Sequence, residues 1–64
     1  MTKERIYELN AEAESGNVES MKKLASFFIE AANQHTDAGR LEQAMLCIKL
    51  SNKWKEELKR RNIW

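Results

Sequence analysis

The strongest constraint on the fold is how rarely the chain is interrupted by residues that break helices. It contains no proline and only two glycines, Gly16 and Gly39, among 64 residues. A β-rich fold needs turn residues often, so their scarcity favours helices. Glycine is also preferred just past a helix end, because it adopts a left-handed conformation without steric cost. The two glycines therefore divide the chain into three predicted helices joined by short links.

The apolar residues of each segment recur with the spacing of an amphipathic helix. We predict helices over about residues 3–14, 18–36 and 40–61, with Thr2 and Asn17 as N-terminal caps. The second helix carries the broadest apolar arc, so it is predicted to pack against both neighbours. Short links give an up-down-up arrangement. The expected fold is one all-α domain, a three-helix antiparallel bundle with helix 2 central and a long helix 3.

The predicted core takes one apolar face from each helix. Its members are Ile6, Leu9, Met21, Leu24, Ala25, Phe28, Ala32, Ala44, Met45 and Ile48. Phe28 is a large residue of the central helix, and its replacement by alanine is expected to cost about 3–5 kcal/mol.

Helix 3 changes its apolar face along its length. At about 100° per residue, Leu46, Leu50 and Trp54 fall opposite or adjacent to the side that the first half of the helix presents to the predicted core. Helix 1 is too short to cover a helix about 30 Å long. We therefore expect these three side chains to be exposed and to form an interaction surface for a homodimer. Lys53 and Glu57 flank this surface.

Two alternatives remain open for the same residues. Trp54 could fold back over Tyr7 or Leu9 and complete the core of a monomer, because tertiary packing often overrides assignments made from one sequence. The exposed residues could also bind a different protein, whose identity the sequence does not give. Tryptophan is enriched at interface hot spots and exposed apolar patches usually mark binding sites, which favours an interface.

Net charge and cysteine content exclude several classes of protein. The formal net charge is +1, so no global field points to nucleic acid or to a membrane. The single cysteine, Cys47, cannot form an internal disulfide, which excludes a secreted disulfide scaffold. The first residues lack the apolar region of a signal peptide, and the most apolar stretch, residues 24–32, is too short to span a bilayer. The expected location is cytoplasmic, without membrane contact.

No group of side chains points to catalysis. His35 and Cys47 are the obvious nucleophile–base pair, but Cys47 is expected in the middle of a helix, away from the N-terminus that would stabilise a thiolate. A metal site needs about three or four ligands at short spacing, and the carboxylates of Glu8 and Glu12 are expected to form a solvated face. A glycine-rich phosphate loop is absent. We therefore expect no enzyme activity and no catalytic, metal-binding or cofactor-binding residue.

The C-terminal part of helix 3 suggests an alternative function, a small nucleic-acid-associated regulator. This part is rich in basic side chains, which can neutralise phosphates. The candidate contacts are Lys55, Lys59, Arg60 and Arg61. Glu56 and Glu57 interrupt this run, and basic residues at a helix C-terminus also complement the negative end of the helix dipole. Nucleic acid is therefore the second expectation, after a protein partner.

The stretch from Phe28 to Ser51 resembles one tetratricopeptide-type helix–turn–helix unit. The matching positions are Phe28, Ala31, Ala32, Gly39, Leu41, Ala44, Ile48 and Ser51. Residues 14–25 are similar to the opening of a Sel1-like repeat, and the Gly16–Asn17 turn also resembles that of the three-helix microtubule-interacting and trafficking domain. The chain departs from the repeat pattern at His35, where an aromatic residue is usual, and at Ser51, where alanine is usual.

The resemblance implies protein binding and transfers no catalytic residue. Repeats of this kind normally need about three copies for stability, so one unit must close on itself or on another chain. Together with the surface of helix 3, this gives the expected function: a small non-enzymatic protein–protein interaction module of adaptor or inhibitor type, which self-associates.

Overall fold

The computed structural model describes residues 2–63, which form three helices and no strand. The helices are α1 (Lys3–Glu14), α2 (Val18–Asp37) and α3 (Leu41–Arg60). These bounds lie within one residue of the predicted ones, and the all-α three-helix fold is confirmed.

The first two helices begin at the predicted N-terminal caps, Thr2 and Asn17. The amide of Arg5 donates a hydrogen bond to Thr2 Oγ1 at 3.2 Å. The amide of Ser20 donates one to Asn17 Oδ1 at 3.1 Å. Each bond satisfies an amide that has no partner inside its own helix, which fixes the start of the helix.

The three helices of residues 2–63 end in the same way, with a left-handed residue just past the last turn. Gly16 has φ of +106° and Gly39 has φ of +79°, as their positions predicted. The residue after α3 is Asn62, with φ of +59°. The amides of Asn62 and Ile63 bond back to the carbonyls of α3 at 2.9 and 3.0 Å, the Schellman pattern. Asparagine adopts this conformation more readily than other non-glycine residues, so α3 ends by the same rule.

Helix α2 is central, as predicted. It packs against both α1 and α3, whereas no Cα atom of α1 comes within 8 Å of a Cα atom of α3. Helix α1 therefore reaches α3 only through side chains. One such contact joins Lys53 Nζ to Glu14 Oε1 at 3.8 Å.

The main core lies at one end of the molecule, where α1 covers the first half of α2 and the second half of α3. Its buried members are Leu9, Ala13, Met21, Leu24, Ala25, Trp54 and Leu58, and Ile6, Val18 and Phe28 pack against them while partly exposed. The prediction for Leu9, Met21, Leu24 and Ala25 is confirmed. The prediction that Met45 and Ile48 belong to the core is wrong, because both are exposed on a part of α3 that α1 does not reach.

Two hydroxyl groups join the helices inside the bundle. Ser51 is fully buried in α3, and its Oγ donates a hydrogen bond to the carbonyl of Ala25 in α2 at 2.9 Å. Ser20 Oγ donates one to Glu12 Oε2 in α1 at 2.7 Å. The small size of Ser51 lets α3 approach α2 closely, and its hydrogen bond satisfies a polar group that would be costly to bury alone.

Candidate interaction surface

The candidate site is the half of the α2–α3 hairpin that α1 leaves uncovered, termed the hairpin end (residues 29–50). At 1.5 Å per residue, α1 extends about 18 Å along partners that are about 30 Å long. At the hairpin end the buried apolar residues are Ala32 and Ala44, which let two helices touch closely. Without a third helix to cover them, larger apolar side chains at this end must remain in contact with solvent.

The exposed large apolar side chains of α3 all belong to the first half of this helix, residues 41–50. Their exposed fractions are 62% for Leu41, 59% for Met45, 59% for Leu46, 43% for Ile48 and 41% for Leu50. At about 100° per residue they form two stripes. The first stripe is Leu41, Met45 and Ile48, and the second stripe is Leu46 and Leu50. The buried line of Ala44 and Ser51 runs between the two stripes.

The second stripe lies on the side of α3 that faces α1. Seven residues separate Leu46 from Lys53, which places both on one side of the helix, and Lys53 pairs with Glu14 of α1. The first stripe lies on the other side of α3. The predicted exposure of Leu46 and Leu50 is confirmed. The exposure of the first stripe was not predicted, because Met45 and Ile48 were assigned to the core.

The prediction that Trp54 is exposed is wrong. Only 3% of its surface is accessible, because its ring packs into the core cluster with Leu9, Ala13 and Leu58. The alternative packing over Leu9 is therefore the observed one. The Lys53 ammonium lies 4.7 Å from the centre of the Trp54 ring and covers its outer side. The indole Nε1 is buried and has no hydrogen-bond partner among residues 2–63.

Lys53 and Glu57, the predicted flanks of the interaction surface, take part in ion pairs within the chain. Lys53 pairs with Glu14, as described above. Glu57 accepts from Arg61 Nε at 3.2 Å and lies 3.4 Å from Arg60 Nη1. These groups are partly exposed, and such pairs contribute little to stability, typically about 0–1 kcal/mol.

The basic residues at the C-terminal end of α3 do not share one face. Lys55 lines a hollow beside Glu30 of α2, and Arg60 and Arg61 both pair with Glu57. At about 100° per residue, Lys55 and Lys59 lie about 40° apart, whereas Arg60 and Arg61 point to other sides of the helix. The candidate contacts are Lys55, Lys59, Arg60 and Arg61.

His35 and Cys47, the candidate nucleophile–base pair, have separate surroundings. Arg40 Nε donates a hydrogen bond to His35 Nδ1 at 2.9 Å. Cys47 is half-buried with a free thiol. Within residues 2–63 no hydrogen bond joins the two, and no cluster of three or more potential metal ligands is found. None of the helices in this part of the chain is both long and apolar enough to cross a membrane.

Comparisons with known proteins leave the site to be interpreted from its own geometry. A scan against protein-family models gives no match, and searches of curated proteins and of solved structures give no significant match.

Proposed function

We propose that this protein is a small non-enzymatic protein–protein interaction module, of adaptor or inhibitor type, that acts through the exposed apolar surface of α3 and self-associates. The observation that carries the proposal is the pair of exposed apolar stripes that five large side chains form between Leu41 and Leu50. Contiguous apolar patches on soluble domains usually mark sites of protein or ligand contact.

Two further features support a protein partner over a small-molecule substrate. The hollows at the surface of residues 2–63 are open to solvent, including the one beside His35 with a volume of about 560 Å³. Small-molecule sites usually enclose about 300–1,000 Å³ and bury most of the ligand. The α2–α3 hairpin also buries Ala32 and Ala44 at its helix contact, at positions that the resemblance to tetratricopeptide-type units uses for packing. We place the module in the cytoplasm as part of the same proposal.

Sedimentation velocity tests the proposal. The wild-type protein is compared with a triple variant in which Met45, Leu46 and Leu50 are replaced by serine, which removes the whole second stripe and the central residue of the first. Tyr7→Ser is the matched control, because Tyr7 is a large exposed side chain outside α3. We expect the wild type and Tyr7→Ser to associate at high micromolar concentration and the triple variant to stay monomeric with an unchanged helical circular dichroism spectrum. A triple variant that associates as strongly as the wild type would contradict the proposal.

A further inference from the structure

The side of the α2–α3 hairpin that faces away from α1 carries an apolar face with no described helix over it. This outer face consists of the first stripe, Leu41, Met45 and Ile48, together with Ile29 of α2. Ile29 lines the same hollow between the two helices as Lys55. Lys55 lies seven residues after Ile48, which places both on one side of α3. Ile29 and Ile48 therefore border the same side of the hairpin.

We propose that the outer face binds the outer face of a second copy of this chain, with the two α3 helices antiparallel about a two-fold axis. The inference rests on the proposed function and specifies the surface that self-association uses. A two-fold interface requires a patch that is complementary to itself. In antiparallel α3 helices, Met45 of each copy packs against Ile48 of the other, and Leu41 packs against Asn52 of the other.

Charge complementarity supports a second copy as the occupant. Glu42 and Lys49 are seven residues apart on the same flank of the first stripe, and both are exposed. Neither takes part in an ion pair within residues 2–63. The arrangement that brings Met45 against Ile48 also brings Glu42 of each copy beside Lys49 of the other. Because the two-fold symmetry repeats this contact, Glu42 and Lys49 give two ion pairs between the copies.

The second stripe is less suited to self-association. An antiparallel pair centred on Leu46 and Leu50 offers two apolar residues of α3 per copy, and the basic residue that it brings near Glu42 of the other copy is Lys53. Lys53 is already paired with Glu14 of its own chain. The outer face, with three apolar residues and a lysine that has no ion pair in its own chain within residues 2–63, is therefore the better self-complementary surface. It offers three apolar residues of α3 per copy, so the association should be weak and measurable at micromolar concentrations, as is typical of small interfaces.

Met45 and Leu46 provide a matched pair of test positions. They are adjacent in the sequence, each is 59% exposed, and they point about 100° apart on α3. We compare Met45→Glu with Leu46→Glu by sedimentation equilibrium, and check folding by circular dichroism. We expect Met45→Glu to raise the dissociation constant of the dimer at least about tenfold, because it buries a charge in the interface, and Leu46→Glu to change it less than about threefold.

The possible outcomes separate this inference from the proposed function. If Leu46→Glu dissociates the dimer and Met45→Glu does not, the outer face is not the interface, while self-association through α3 stands. If the wild type remains monomeric at all concentrations, the dimer is overturned together with the self-association part of the proposed function.

Reversal of the flanking charges tests the antiparallel arrangement separately. Glu42→Lys and Lys49→Glu each place like charges opposite one another, and we expect each to raise the dissociation constant about five- to tenfold at low salt. The double variant Glu42→Lys/Lys49→Glu should recover wild-type dimerisation to within about threefold. The lysine at position 42 opposes the helix dipole in the double variant as much as in Glu42→Lys alone. Any recovery of dimerisation in the double variant must therefore come from the restored ion pairs. A double variant as weak as the single ones would overturn the arrangement.

Discussion

At the scale of single residues, Ser51 shows how a buried polar group can allow two helices to pack closely. Its side chain is fully buried, and its hydroxyl donates to the carbonyl of Ala25 across the helix pair. We expect Ser51→Ala to lower the free energy of unfolding by about 0.5–1.5 kcal/mol, the usual net value of one hydrogen bond. Ser51→Val should cost more, about 1–3 kcal/mol, because it forces extra volume between helices. Urea denaturation followed by circular dichroism measures both, and a stabilising Ser51→Val would show that the site has free space.

The resemblance to a helix–turn–helix unit included Ser51, but the sequence did not predict that this side chain is buried between α2 and α3. In the repeat family that the chain resembles, alanine is usual at position 51. The structure explains this preference, because the side chain at position 51 lies fully buried between two helices, where a small residue fits. Serine is a polar residue, so a hydrophobic pattern alone assigns it to solvent. Its partner is a backbone carbonyl of another helix, 26 residues away in sequence, which no local pattern reveals.

At the scale of the elements, the helix ends were predicted well because their signals are local. Gly39 has φ of +79°, and a Cβ atom added there would meet no atom within 4 Å. We expect Gly39→Ala to cost about 1–2 kcal/mol, from the left-handed backbone conformation alone. Asn62→Gly is the control, because it relieves the same kind of strain after α3 and should leave stability unchanged or slightly higher. Thermal unfolding measures both, and an unchanged melting temperature for Gly39→Ala would mean that the turn adopts another conformation.

The face of α3 that packs into the core was not predicted correctly, and the reason is physical. Large apolar residues at helical spacing suggested that Met45 and Ile48 are buried. The buried line is instead Ala44, Ser51 and Leu58, which recur every seven residues. Small residues recur where two helices are close, and the large Trp54 is buried only where α1 provides a third layer. The sequence therefore predicts where a helix lies more reliably than it predicts which side of that helix faces a neighbour.

At the scale of the whole molecule, stability should be concentrated at the end that α1 covers. Leu58 is fully buried in the main core, whereas Phe28 is only partly buried at its edge. We expect Leu58→Ala to cost about 2–5 kcal/mol, and Phe28→Ala to cost less than the 3–5 kcal/mol first expected for a fully buried phenylalanine. Met45→Ala, at an exposed position, should change the monomer by no more than about 0.5 kcal/mol. Denaturation midpoints in which Phe28→Ala is the most destabilising variant would contradict this distribution.

The backbone of α1 lies close to the backbone of α2 but not to that of α3. We therefore expect α1 to be the first helix to detach when the protein opens. A segment held by few neighbours can detach while the rest remains folded. The amide protons of α1 should therefore exchange with deuterated water faster than those in the middle of α2 and α3, when followed residue by residue by nuclear magnetic resonance. Each such opening would expose Trp54 and Leu24 to solvent for a short time. During these openings the hydrophobic surface available for non-specific contacts would be larger than in the closed bundle.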